Sequence, residues 1–151
     1  MGTKRVGWAR IRSLINENQN ELFHLKQGYK TVAADTTLTA ADSGKVILMG
    51  TNGVDITLPA ATVGMSFTVI QTGDYATADC TVVAAAGDFM AGAVAGPSTA
   101  SQNLADGSSD LTATFGSATL AGDQITLVSN GTLWFVSGTA AAGGANGIAF
   151  S

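Results

Sequence analysis

The chain has 151 residues, 46% of them hydrophobic and 12% charged, with 19 Gly, 25 Ala, 19 Thr and 11 Ser. That charge content is about half the usual share of a soluble domain, which excludes charge-driven disorder, and the length suffices for one domain with a real core. The net charge of −4 is unevenly divided. Residues 1–30 carry six bases against Glu17 and Glu21, a net +4, whereas residues 31–151 carry Lys45 against nine aspartates, a net −8. The sequence is a basic leader on an acidic body.

Met1 is followed by a basic stretch without an apolar signal core, and no apolar run reaches transmembrane length, so neither secretion nor a membrane is expected. Cys80 is the only cysteine, in the strand-like run Cys80–Val83, where it is expected as a small buried hydrophobe.

In the leader, Trp8, Ile11, Ile15, Asn18, Leu22 and Leu25 recur at steps of three and four, the spacing of a coiled-coil seam. Asn18 in mid-seam is the residue type that fixes register and strand number. Gly28 ends the run, with Lys26 and Lys30 suited to the negative end of a helix dipole. The segment is expected to be a short helix that mediates either oligomerisation or docking onto its own domain or a partner. Lys4, Arg5, Arg10 and Arg12 supply its positive charge. Four bases without interleaved aromatics do not make a nucleic-acid footprint, so an acidic protein surface is the expected contact.

Beyond Tyr29, short runs of Val, Ile, Thr and Phe alternate with Gly, Asn and Asp. Residues 45–49 and 54–58 flank Asn52-Gly53 and predict an antiparallel hairpin, with Met49 opposite Ile56 and Ile47 opposite Leu58. Residues 123–129 and 132–136 flank Asn130-Gly131, the dipeptide of a type I′ turn. The register expected there opposes Leu127 with Trp134, Ile125 with Val136, Val128 with Leu133 and Thr126 with Phe135. Both faces of that hairpin are then apolar. One face suits a sandwich interior, while Leu133 and Phe135 on the other call for a further layer, a subunit, or the N-terminal helix of the same chain. Further strands are expected at 66–71, 79–83, 88–90 and 111–115. A long surface loop is expected at 91–110, and an added strand at 148–151.

The fold expected is therefore mainly β, an antiparallel β-sandwich or barrel-like domain preceded by a short N-terminal α-helix. The expected division is 1–29 as helical leader, 30–138 as β domain and 139–151 as Gly/Ala-rich tail.

Chemistry is sparse. One His and one Cys cannot complete a common zinc site, and His24 lies in the leader, away from any cleft of the β domain. Phosphate-loop motifs are missing. Most aspartates adjoin Gly, Ala or Ser at strand ends, where Asp satisfies turn backbone. No catalytic residue, cofactor, metal or small-molecule substrate is expected.

The opening, Met1–Ile11, resembles the start of small virion structural proteins of marine cyanophages. The phrases Leu38–Lys45, Ile56–Ala60 and Gly64–Ile70 are similar to a pattern in phage capsid-decoration and fibre-associated proteins. The resemblance implies a capsid decoration (cement) protein on the outer shell, with the major capsid protein and copies of itself, as a homotrimer, for partners. A head- or tail-fibre component is the alternative it implies. An alternative of another class is a carbohydrate-binding domain centred on Trp134. The expected interface consists of Lys4, Arg5, Trp8, Arg10, Ile11, Arg12, Ile15, Asn18, Leu22 and Leu25 in the leader, together with Leu133 and Phe135.

Overall fold

The computed structural model describes residues 7, 10–13, 28–75, 77–97, 103–142 and 147–151. Residues 10–13 form a helical segment, opened by the amides of Arg10 and Ile11 donating to the Gly7 carbonyl. The rest of the predicted seam helix, including Lys4, Arg5, Trp8, Ile15, Asn18, Leu22, His24 and Leu25, lies outside the described residues. Lys30, expected near a helix end, belongs instead to the first strand.

The described residues contain twelve strands: β1 (Tyr29–Val32), β2 (Thr36–Thr37), β3 (Val46–Met49), β4 (Asp55–Thr57), β5 (Ser66–Gln71), β6 (Cys80–Val83), β7 (Phe89–Ala95), β8 (Asn103–Asp106), β9 (Thr112–Phe115), β10 (Gln124–Ser129), β11 (Leu133–Thr139) and β12 (Ile148–Phe150). They form two sheets. The large sheet has the order β1-β3-β5-β10-β11-β7-β8, and the small one β12-β9-β6-β4-β2. The protein is mainly β, as its patterning predicts. Each sheet mixes parallel and antiparallel pairs, so the sandwich is mixed rather than antiparallel throughout.

The chain from β1 to β6 crosses between the sheets at every connection. β1, β3 and β5 stack in parallel in the large sheet, and β2, β4 and β6 do so in the small one. This corrects the first predicted hairpin. β3 and β4 lie in different sheets, and Met49 and Ile56 are not ladder partners. Ile47, Met49, Val54, Ile56 and Leu58 are all at most 1% exposed, so the two strands meet face to face across the core. An apolar face satisfies either arrangement equally well. The turn decides between them. A type I′ turn needs positive φ at both central residues, and only Gly53 has it, at +71°. Asn52 instead turns its side chain to the β5–β6 connection, where its Oδ1 accepts from the Ala78 amide at 3.0 Å.

The second hairpin, β10–β11, is present with a different register. Leu127 pairs with Val136, Val128 with Phe135 and Ser129 with Trp134. Again only the glycine, Gly131 at +96°, has positive φ. Asn130 Oδ1 accepts from the amides of Thr132 and Leu133 at 3.0 and 2.9 Å, building a wider loop in place of the two-residue turn. The displacement is by two residues, so every side chain keeps the face predicted for it.

The predicted loop at 91–110 is also corrected: β7 continues to Ala95, and β8 pairs antiparallel with it. Gly92 makes this possible. Its φ is +149°, and a Cβ there would stand 1.9 Å from the Val136 carbonyl oxygen. The terminal strand β12 pairs with β9 of its own chain.

Between the sheets lies one apolar cluster. Trp134 and Phe67 sit in it with ring centroids 5.7 Å apart, and Cys80 is buried within it on β6. Polar groups at its margin are tied to backbone. The Gln71 amide nitrogen donates to the Gly73 and Thr119 carbonyls, and Asp123 accepts from the Leu120 and Ala141 amides.

Candidate functional site: the outer face of the large sheet

The strand alternation sends one set of side chains inward, and the registers align the remainder into rows on the outside. One row runs Tyr29, Val46, Thr68, Thr126, Ser137, Ala93, Leu104 from edge to edge of the large sheet. The row on one side of it contains Leu48, Ile70 and Gln124. The row on the other side contains Ser66, Val128, Phe135 and Ala91, and ends at Asp106 on β8. Beyond that row, Leu133 pairs with Phe89.

Asp106 is the only charged residue in these rows, and it stands at the rim. Among the described residues nothing covers the face. Tyr29 is 73% exposed, Leu104 68%, Phe135 48% and Val128 45%. Val128 and Phe135 are ladder partners, so two large apolar side chains sit side by side in water at the middle of the sheet. The apolar second face expected of this hairpin is real, and Leu133 and Phe135 both lie on it, Leu133 half-buried. Only one face of the hairpin is buried within the chain, however.

The small sheet offers a contrast. Its outer rows hold Thr57, Thr81, Val83, Thr112 and Thr114 with the exposed Asp55, whose Oδ1 accepts from Thr81 Oγ1 at 2.6 Å. That surface is hydroxyl-rich and carries a charge near its centre, as an ordinary wet sheet face does.

The edge of the large sheet at β1 is blunted. Lys30 shares the inward side with Ile47, its partner in register, and reaches Asp42 at 3.0 Å. Lys45 meets the same carboxylate at 2.8 Å, and the Thr39 amide donates to it at 3.1 Å. These groups, Lys45 foremost and Lys30 after it, outweigh burial and hold the Asp42 carboxyl well below the usual carboxylate range. An inward charge on an edge strand discourages pairing with a further strand.

At the opposite rim, Asp106 accepts from the Ser108 and Ser109 amides at 2.7 and 2.8 Å and from both serine hydroxyls at 2.9 Å. Those donors, the Ser108 amide foremost, hold its carboxyl below the ordinary range, so the rim keeps its negative charge. The Asp110 carboxylate accepts from the Asp106 amide at 2.7 Å. Asp35, Asp74, Asp88 and Asp123 likewise accept from backbone amides, the role their place at strand ends predicts. Among the described residues no three His, Cys, Asp or Glu side chains cluster as a metal site would require, and no helix is long and apolar enough to cross a membrane.

Of the predicted interface residues in the leader, Arg10, Ile11 and Arg12 are described, and all three are exposed, Ile11 at 36%. Trp134, the residue on which a sugar platform would depend, is fully buried. The sequence reading missed Tyr29 and Leu104. Tyr29 sits at the boundary between helical and strand patterning, and Leu104 lies in a stretch too poor in apolar bulk to read as strand. No family model and no curated protein matches this chain.

Proposed function

We propose that this chain is a structural protein of a virus particle, a decoration protein that assembles with its own copies and coats the outer capsid shell. The observation that carries the reading is the uncharged outer face of the large sheet, where Tyr29, Leu104, Val128 and Phe135 are exposed and nothing among the described residues covers them. Monomeric proteins seldom expose contiguous apolar patches beyond a few hundred Å², and larger ones mark interaction surfaces. The basic leader supports docking: Arg10 and Arg12 are solvent-exposed and free to meet an acidic shell. The resemblance of Met1–Ile11 and of the 38–70 phrases to phage virion proteins supplies the viral context.

Counting copies of the chain per purified particle tests the proposal. A decoration protein is present at hundreds of copies, rebinds stripped shells and raises their resistance to heat. A handful of copies per particle, with shells equally heat-resistant without them, contradicts this and favours the fibre role. Absence of the chain from particles removes both.

A further inference from the structure

We infer that the outer face of the large sheet docks a second copy of this chain. The inference rests on the self-assembling reading above and names the surface that performs it.

The face itself restricts the partner. From β1 to β7 its rows carry no charged side chain, so a charged partner would lose its hydration there without any ion pair in return. The complement must be apolar, and among the described residues the leader offers one exposed apolar side chain. Ile11, in the helical segment 10–13, is solvent-exposed, and in the sequence it belongs to the seam of Trp8, Ile15, Leu22 and Leu25.

Area leads to the same partner. Six inter-strand spacings of about 4.8 Å by four rows give a face of roughly 600 Å². A stable interface buries roughly 800 Å² on each partner. The face falls somewhat short alone, and the leader of a neighbouring copy supplies the difference. Charge agrees with this pairing. Arg10 and Arg12 flank Ile11, while Asp106 and Asp110 mark the rim of the face. A net +4 leader on one copy thus meets the acidic body of the next. Strand addition at the β1 edge is disfavoured by the inward Lys30 held on Asp42.

The test is the solution mass of the full chain by light scattering at about 50 µM, above the micromolar affinities of weak interfaces. The wild-type chain is expected at two or more times its 15.1 kDa. Phe135→Lys and, separately, Val128→Lys put a charge in the middle of the face at half-exposed positions. Each is expected to give a protein of 15.1 kDa with an unchanged circular dichroism spectrum. Thr114→Lys, on the outer face of the small sheet, is expected to keep the wild-type mass. A monomeric wild type overturns the inference. So do lysine variants that retain the assembled mass, or a Thr114→Lys chain that dissociates as they do. The virion reading fails separately: a monomer that coats shells leaves that reading standing, and an assembling chain found on no particle defeats it alone.

Discussion

Asp42 shows how one carboxylate secures a strand edge. Two ammonium groups and a backbone amide converge on it while it is only 6% exposed. Because its folded pKa lies below the unfolded value, it stabilises the fold above the ordinary carboxylate range. That contribution is lost as pH falls below about 4 and through the folded value. Asp42→Asn is expected to cost about 1–3 kcal/mol at pH 7, the lysines being a third exposed and partly able to regain water. The difference from wild type should shrink as pH drops towards 2. Urea denaturation across that range checks both the magnitude and the sign. A cost that grows on acidification contradicts the assignment.

Trp134 presents the opposite situation. It fills the core against Phe67, yet among the described residues its indole Nε1 has no hydrogen-bond partner. Trp134→Phe removes that unsatisfied donor, which relieves about 1–3 kcal/mol and offsets the volume lost. The variant should therefore lie within about 1 kcal/mol of wild type, whereas Trp134→Ala should cost about 3–5 kcal/mol. Equal losses for the two, measured by denaturant titration, would show that the indole nitrogen is satisfied in solution.

At the scale of elements, what the sequence specified was the face of each strand, and what it left open was each strand's neighbour. Periodicity of two distinguishes inside from outside, and every core strand from β3 to β6 was legible that way. It does not distinguish a hairpin from a connection that crosses between sheets, because Met49 and Ile56 are buried in both. The Asn-Gly dipeptides suggested tight turns, but Asn52 and Asn130 use their side chains as hydrogen-bonding groups and stay at negative φ. The start of β7 at 88–90 reads as strand, but 91–110 reads as loop because Gly92, Ala93 and Ala95 contribute little bulk. β7 continues through pairing with β11, and β8 forms on β7, neither of which local pattern reveals. The candidate face was half legible: Leu133 and Phe135 were visible in the hairpin, while Tyr29 and Leu104 joined it only through register.

Paired cysteines test the crossover directly. Leu48 and Ile70 are parallel partners on the outer face, so Leu48→Cys with Ile70→Cys is expected to form a disulfide under mild oxidation. Leu48→Cys with Thr57→Cys, the pair a 45–58 hairpin would oppose, is expected to remain reduced, since the two residues belong to outer faces of different sheets. Mass spectrometry showing the reverse would restore the hairpin. Gly92→Ala probes the β7–β11 approach. With the Val136 carbonyl 1.9 Å from the new methyl, a loss of at least about 3 kcal/mol or failure to fold is expected.

The whole molecule is a sandwich with two unlike exteriors. The small sheet presents threonines with Val83 and Asp55, and the large sheet presents Tyr29, Leu48, Ile70, Val128, Phe135 and Leu104 among uncharged Thr, Ser and Gln side chains, with no charge until its rim. Solvent alone does not account for that difference between two faces of one fold. A covering partner, proposed above to be a second copy of the chain, accounts for it. The central claim is that other copies cover the large sheet. Oxidative side-chain footprinting tests it most directly, with the full chain labelled at a dilute and at a concentrated extreme. Tyr29 and Phe135 should lose reactivity on concentration, while Phe150, on β12 of the small sheet, should not. Equal labelling of Phe135 at both extremes, with Phe150 also constant, would contradict the account.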